Sequence, residues 1–338
     1  MKTFLACLVL LYAMLPISSN AAPLALHADG NLLKSADGKA VRLQGVCIAS
    51  LEWSNLGDQI MKSMDVAVTD WNAKIIRLPL AEDRWFGLAQ YQNDGGSGYR
   101  DLVSSIVKKL SAKGVYVILD LHWSNTGVWG QRLGQQNMPG VNSQVFWVAV
   151  AERFANNPAV FFGLYNEPHD VSWDVWRNGG EVTQDDKGTK YTYHTIGFQK
   201  LIELVRNTGA KNLLVIGGLD WAYDLTGILD KPLIDKTGNG IMYDSHIYPW
   251  KSEWEAKVGA AAAKYPVLLG EVGCEPDPKQ EDPMTWAPKI LAFIEKHQLN
   301  WTAWCFHPGA SPRLLKSFDT YEPTPYWGVF VKKALTGK

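Results

Sequence analysis

Two carboxylates stand where this chain could do chemistry. Glu167 ends an unbroken apolar run, Val160-Phe161-Phe162-Gly163-Leu164-Tyr165, in the sequence Asn166-Glu167-Pro168, and Glu271 interrupts another in Leu269-Gly270-Glu271-Val272-Gly273. An apolar run of that kind reads as a strand buried on both faces. Pro168 cannot extend the ladder, so Glu167 sits where such a strand emerges into a loop. The two residues are 104 positions apart (271 − 167), and only a fold that gathers strand ends can pair them. A carboxyl pair flanking a glycosidic bond can cleave it. One partner holds a proton at neutral pH and gives it to the leaving oxygen; the other stays ionised and attacks the anomeric carbon. Desolvation or a like charge fits a carboxyl for the first role, hydrogen bonds and cations for the second.

Other apolar runs end the same way. Arg77 falls in Ile76-Arg77-Leu78-Pro79, His122 and Trp123 in Asp120-Leu121-His122-Trp123, and Trp304 in Ala303-Trp304-Cys305-Phe306. His246, Tyr248 and Trp250 share Ser245-His246-Ile247-Tyr248-Pro249-Trp250. Arg77, His246 and Tyr248 are the residue types that keep a neighbouring carboxylate ionised. Asp120 is expected to support the barrel or its neighbour His122. His169 and His307 sit just past strand ends as loop residues or substrate contacts. No Cys or His cluster has metal-ligand spacing, so neither a metal nor a cofactor is expected.

These strand ends need elements to hold them. Eight apolar runs with strand character recur, at residues 41–49, 74–80, 115–122, 160–166, 212–219, 241–247, 266–272 and 300–305. Segments with apolar residues three or four apart lie between most of them, at 58–71, 99–113, 143–155, 194–208, 252–264 and 286–298, with a closing helix at 326–335. The interval 220–235 has the weakest helical pattern. Strands alternating with helices predict a parallel α/β sheet, and eight repeats predict its closure into a single (β/α)₈ TIM barrel. Asp29-Gly30 and Asp37-Gly38 mark turns of a short hairpin before the first barrel strand. A nucleotide-binding doubly wound sheet is disfavoured, because Leu43-Gln44-Gly45-Val46 is no Gly-rich phosphate loop.

Residues 1–22 read as a signal peptide: Lys2, an apolar segment from Phe4 to Ile17, then Ser18-Ser19-Asn20-Ala21-Ala22. Residues 23–338 then form one catalytic domain, secreted or periplasmic, monomeric and free of the membrane. A net charge of −1 with 20% charged residues and no basic run excludes nucleic acid as a partner. Cys47, Cys274 and Cys305 cannot all pair with one another and are expected to be buried thiols. The 15 Trp are the compositional oddity. Trp123, Trp129, Trp173, Trp176, Trp221 and Trp250 fall in loops where an aromatic face could stack on a sugar ring.

The whole pattern resembles the family 5 glycoside hydrolases, the large cellulase and mannanase family of the retaining (β/α)₈ group. The resemblance runs from Arg77 on the second strand to Trp304 on the eighth, with no departure at the catalytic positions. It implies that Glu167 is the acid/base and Glu271 the nucleophile, supported by Arg77, His122, Asn166, His246, Tyr248 and Trp304. By the same resemblance Asn166 would bind the sugar 2-hydroxyl, Tyr248 would hydrogen-bond the nucleophile, and Trp304 would floor the subsite of the attacked sugar. The implied activity is a secreted, cofactor-free endo-β-1,4-glucanase acting on β-1,4 or mixed-linkage glucan polysaccharide or oligosaccharide. The alternatives are an endo-β-1,4-mannanase or another β-glycanase of the same mechanism and, in a different class, a transglycosylase or a non-catalytic sugar-binding barrel. A dead barrel would be expected to lack one carboxylate, and both are present.

Overall fold

The computed structural model describes residues 22–124, 134–186 and 188–337, so the expected signal segment lies outside it except for Ala22. Strands β1 (Leu26–Asp29), β2 (Leu32–Ser35) and β3 (Ala40–Val41) form an antiparallel sheet. The expected hairpin is there, but it gains a third strand from residues read as the start of the first barrel strand. That barrel strand, β4 (Gln44–Cys47), begins only after Leu43.

The barrel continues through β5 (Ile75–Ala81), β6 (Tyr116–Trp123) and β7 (Val160–Gly163). A two-stranded hairpin, β8 (Gly180–Asp186) and β9 (Thr189–Thr195), then interrupts the alternation. The barrel resumes with β10 (Leu214–Gly217), β11 (Ile241–Ile247), β12 (Val267–Val272) and β13 (Asn300–Ala303). These eight strands close in the order β10-β11-β12-β13-β4-β5-β6-β7, every pairing parallel. Parallel pairing points all their C-terminal ends to one face.

Apart from half-buried Gln44 and Trp123, the barrel strands are buried along their length, which explains the near-continuous apolar runs. Inward side chains Ile75, Ile118, Phe161, Val215, Met242 and Leu268 pack together with Leu26 and Leu33 of the N-terminal sheet. That sheet therefore plugs the N-terminal end of the barrel and leaves the opposite end for a site. Helices cover the outside with apolar stripes: Phe198–Asn207 buries Phe198, Leu201, Ile202 and Val205, spaced three or four apart. Its predicted start at 194 is overturned because His194 and Thr195 belong to β9. Helix Pro283–Lys296 starts on Asp282, whose carboxylate accepts from Met284 N at 2.8 Å, with proline at the first position. The weak interval after β10 holds only one short helix, Gly227–Asp230.

Candidate active site

The C-terminal face is assembled by two-residue spacing. Asp120 and His122 of β6 share a face of their strand, as do Asp244 and His246 of β11. On β12 the register with β11 slips, from Ser245↔Leu269 to His246↔Glu271, so Gly270 is skipped. Gly270 N donates to Asp244 Oδ1 at 2.6 Å, and a Cβ at Gly270 would fall 2.3 Å from Asp244 Oδ2. Only glycine allows this bulge to lie against the aspartate. The bulge aligns Glu271 with His246.

Arg77 is the buried hub. Its guanidinium donates to Glu271 Oε1 at 2.8 Å and to Asn166 Oδ1 at 2.6 Å, and pairs with Asp120 Oδ2 at 2.9 Å. Asp120 also holds His122 Nδ1 at 2.8 Å, so it supports its neighbour as expected. Tyr248 donates its hydroxyl to Glu271 Oε2 at 2.5 Å. His246 Nδ1 lies 2.9 Å from Glu167 Oε1 and 3.7 Å from Glu271 Oε2, with Asp244 3.4 Å from its Nε2. One carboxylate oxygen of Glu167, one of Glu271 and an imidazole nitrogen of His246 lie within 4.8 Å of one another. Trp304 stacks flat on His122, centroids 5.5 Å apart, and its indole donates to Ser311 O.

The surroundings treat the two glutamates differently. The Glu271 side chain is 5% exposed, whereas that of Glu167 keeps 22%. Burial pushes the Glu271 carboxyl up, but the charges of His246, Arg77 and His122 and the Tyr248 hydroxyl prevail and hold it down at about 2. Burial works against a charge on His246, yet Glu271, Asp244 and Glu167 outweigh it and raise its pKa to about 10. It is a cation at neutral pH. Tyr248 is pushed well above the ordinary tyrosine range, first by burial and then by the two glutamates, and so remains a donor. The set suits an attacking carboxylate at Glu271.

Residues 34–310 match the family profile for cellulase (glycosyl hydrolase family 5). The chain belongs to that family. A family 5 chain is a glycoside hydrolase, and the barrel with its paired glutamates is the architecture the sequence predicts. An endoglucanase from Microbulbifer sp. (strain ALW1) is 26% identical over 302 residues, covering 82% of this chain and 50% of that one. An endoglucanase from Paenibacillus polymyxa is 24% identical over 361 residues, covering 91% and 88%. This chain thus spans about half the length of the first relative and most of the second. Among solved structures, a β-glucanase from Saccharophagus degradans in complex with cellotetraose superposes with a TM-score of 0.73 and 22% identity, over 97% of this chain and 98% of that one.

This family 5 site opens into a cleft of about 600 Å³ beside Trp304, lined also by Glu275, Asp277 and Gln280. A second space of about 510 Å³ adjoins it, sharing Glu167, Tyr248 and Trp250 and lined further by Asp220, Trp221 and Lys251. Trp250 is 59% exposed and stacks on Tyr248, 4.8 Å between centroids. Trp221 is 42% exposed, backed by His169 at 4.6 Å with Lys251 Nζ above it. Trp173 and Trp176 pack against each other instead; Trp176 is buried, and a Cβ on Gly227 would fall 2.1 Å from the Trp173 indole. Trp123 ends β6, half-buried, and lines neither space, while Trp129 lies outside the described residues. His307 pairs with Asp58, packs on Trp53 and lines neither space. The three cysteines are buried free thiols.

Several residues here were missed in the sequence. Asp244 lies two before His246, the spacing Asp120 has to His122, and that repeat was a usable signal. Glu52 is buried close enough to His122 to feel its charge, and desolvation raises it to about 7. Gln135 bonds Asn166 and the Glu167 carbonyl. Nothing local marks Glu52 or Gln135, since both come from loops placed by tertiary structure.

Proposed function

We propose that this glycoside hydrolase is a secreted, monomeric endo-β-1,4-glucanase that cleaves β-1,4 or mixed-linkage glucan with retention. The carrying observation is the approach of Glu167 and Glu271 within 4.8 Å. That spacing suits direct attack by a carboxylate and leaves too little room for an intervening water. Two adjoining spaces that share Glu167 favour binding along a polymer, and a glucan is favoured because the relatives above are named endoglucanases and the solved one holds cellotetraose. Secretion rests on the character of residues 1–22.

In the first step a Glu271 oxygen bonds the anomeric carbon as the bond to the glycosidic oxygen breaks, and Glu167 delivers its proton to that oxygen. In the second, the Glu167 carboxylate takes a proton from water, which attacks the same carbon and releases Glu271. Negative charge therefore moves from Glu271 to Glu167 between steps. His246, in contact with both, stabilises whichever carboxylate is charged. Asn166 holds the 2-hydroxyl, Trp304 floors the attacked sugar, and Trp221 and Trp250 offer faces to the leaving side.

The test is hydrolysis of carboxymethylcellulose, barley β-glucan and β-mannan by the wild type beside Glu271→Ala and Glu167→Ala. Activity on the glucans, abolished at Glu271 and returned by azide as a product of inverted anomeric configuration, is the expected result. Activity on mannan alone would move the substrate class, and a glucanase that survives loss of Glu271 would end this reading.

A further inference from the structure

Asn166 sits in a chain of hydrogen bonds whose directions are forced from Arg77 through Gln135 to the Glu167 carbonyl. Arg77 has only donors, so the Asn166 atom facing it at 2.6 Å is Oδ1. The Asn166 amide nitrogen therefore points away from Arg77, and it donates to Gln135 Oε1 at 2.7 Å. Gln135 is oriented in turn by its other end, because Nε2 donates to the Glu167 carbonyl at 2.6 Å, an atom that can only accept. Asn166 Nδ2 has two hydrogens, and Gln135 takes one. The other faces His122 Nε2 at 3.4 Å, a long bond at the wall of the cleft that a sugar hydroxyl entering there would replace.

Gln135 is itself braced. Asn137 N donates to Gln184 Oε1 on β8, Met138 N to the Tyr193 hydroxyl on β9, and Thr195 Oγ1 to Pro139 O. On the inner side the Tyr165 hydroxyl donates to Gln136 O, and His169 N donates to Asn137 O. The hairpin that interrupts the barrel thus holds the segment that carries Gln135.

We infer that Gln135 is a positioning residue for the sugar 2-hydroxyl: it fixes the Asn166 amide so that one N–H is aimed at that group, and the β8–β9 hairpin serves to hold it there. This deepens the proposed function and rests on its assignment of Asn166. The test compares an aryl β-cellobioside with its 2-deoxy analogue, in the full-length wild type, Gln135→Met, Asn166→Ala and the double variant. Methionine keeps the length of a half-buried side chain while removing both hydrogen bonds, and Gln135→Ala is the second variant should it misfold.

On the cellobioside, Gln135→Met is expected to lower kcat/KM about tenfold, the scale of one lost hydrogen bond, mostly in kcat. On the 2-deoxy glycoside the loss is expected to be about twofold or less, and in the Asn166→Ala background the added loss on either substrate should be similarly small. Equal losses on both substrates, or losses that multiply in the double variant, would overturn the inference, because a merely structural role predicts them. If Asn166→Ala itself fails to distinguish the substrates, the assignment of Asn166 falls instead.

Discussion

At the residue scale, the site works by unequal treatment of two like groups. Glu271 is more buried than Glu167 yet is held ionised, because Arg77, His246 and Tyr248 converge on it. Removing one of those donors should raise its pKa. Tyr248→Phe is expected to move the acid limb of the kcat/KM profile upward by about one pH unit while leaving the basic limb in place, since the lost hydroxyl bonds the charged form of Glu271. An unmoved acid limb in a folded Tyr248→Phe variant would show that the hydroxyl does not set the charge of Glu271. The individual residues were legible because each interrupts an apolar run with a polar group. Which carboxylate is more desolvated was not legible, because that depends on what the loops cover.

At the element scale, the site depends on a bulge. Skipping Gly270 lets Glu271 face His246, and its carbonyl is taken up by Thr302 Oγ1 at 2.6 Å. Gly270→Ala places a methyl 2.3 Å from Asp244 and must displace that side chain or the strand. It is expected to cost about 1–3 kcal/mol of stability, as overpacking does. It should also lower kcat at least about tenfold, through misplacement of Glu271 and His246. Thermal unfolding with steady-state kinetics checks both. The strands were legible as apolar runs, but the slip of one residue inside Leu269-Gly270-Glu271 was not, since a glycine there reads equally as a weak spot. The β8–β9 hairpin was missed for a different reason. Its strands are polar and mostly exposed, with few buried side chains to impose a clear apolar period, although the alternation of Tyr and Thr within Thr189 to Thr195 and the Gly188 turn were signals.

At the scale of the whole molecule, eight strands lift their ends to one face while the N-terminal sheet closes the other. Leu33 is 1% exposed in that plug, so Leu33→Ala should destabilise the protein by about 2–5 kcal/mol, measured by denaturant unfolding. Because the plug is remote from the glutamates, KM should not change in the folded fraction. The buried charges also set a pH window. Glu271 titrates below an ordinary glutamate, so its contribution to stability is full above that range and is lost as pH falls toward about 2. His246 titrates above an ordinary histidine, so its contribution is full below that range and is lost as pH rises through about 10. The melting temperature of Glu271→Gln is accordingly expected to fall less steeply than the wild type's between pH 5 and pH 2. A parallel decline would mean that other carboxylates govern acid unfolding. Barrel closure was the most legible feature of all, because eight repeats of strand and helix leave few other ways to bury every strand on both faces.

Double displacement requires a covalent glycosyl-enzyme formed on Glu271. It is tested most directly by treating the enzyme with a 2-deoxy-2-fluoro-β-cellobioside bearing a dinitrophenyl leaving group and reading the labelled peptide by mass spectrometry. Stoichiometric inactivation with the disaccharide on Glu271 is the predicted result. Labelling of a different residue, or turnover on β-glucan that releases the α-anomer first, would contradict it.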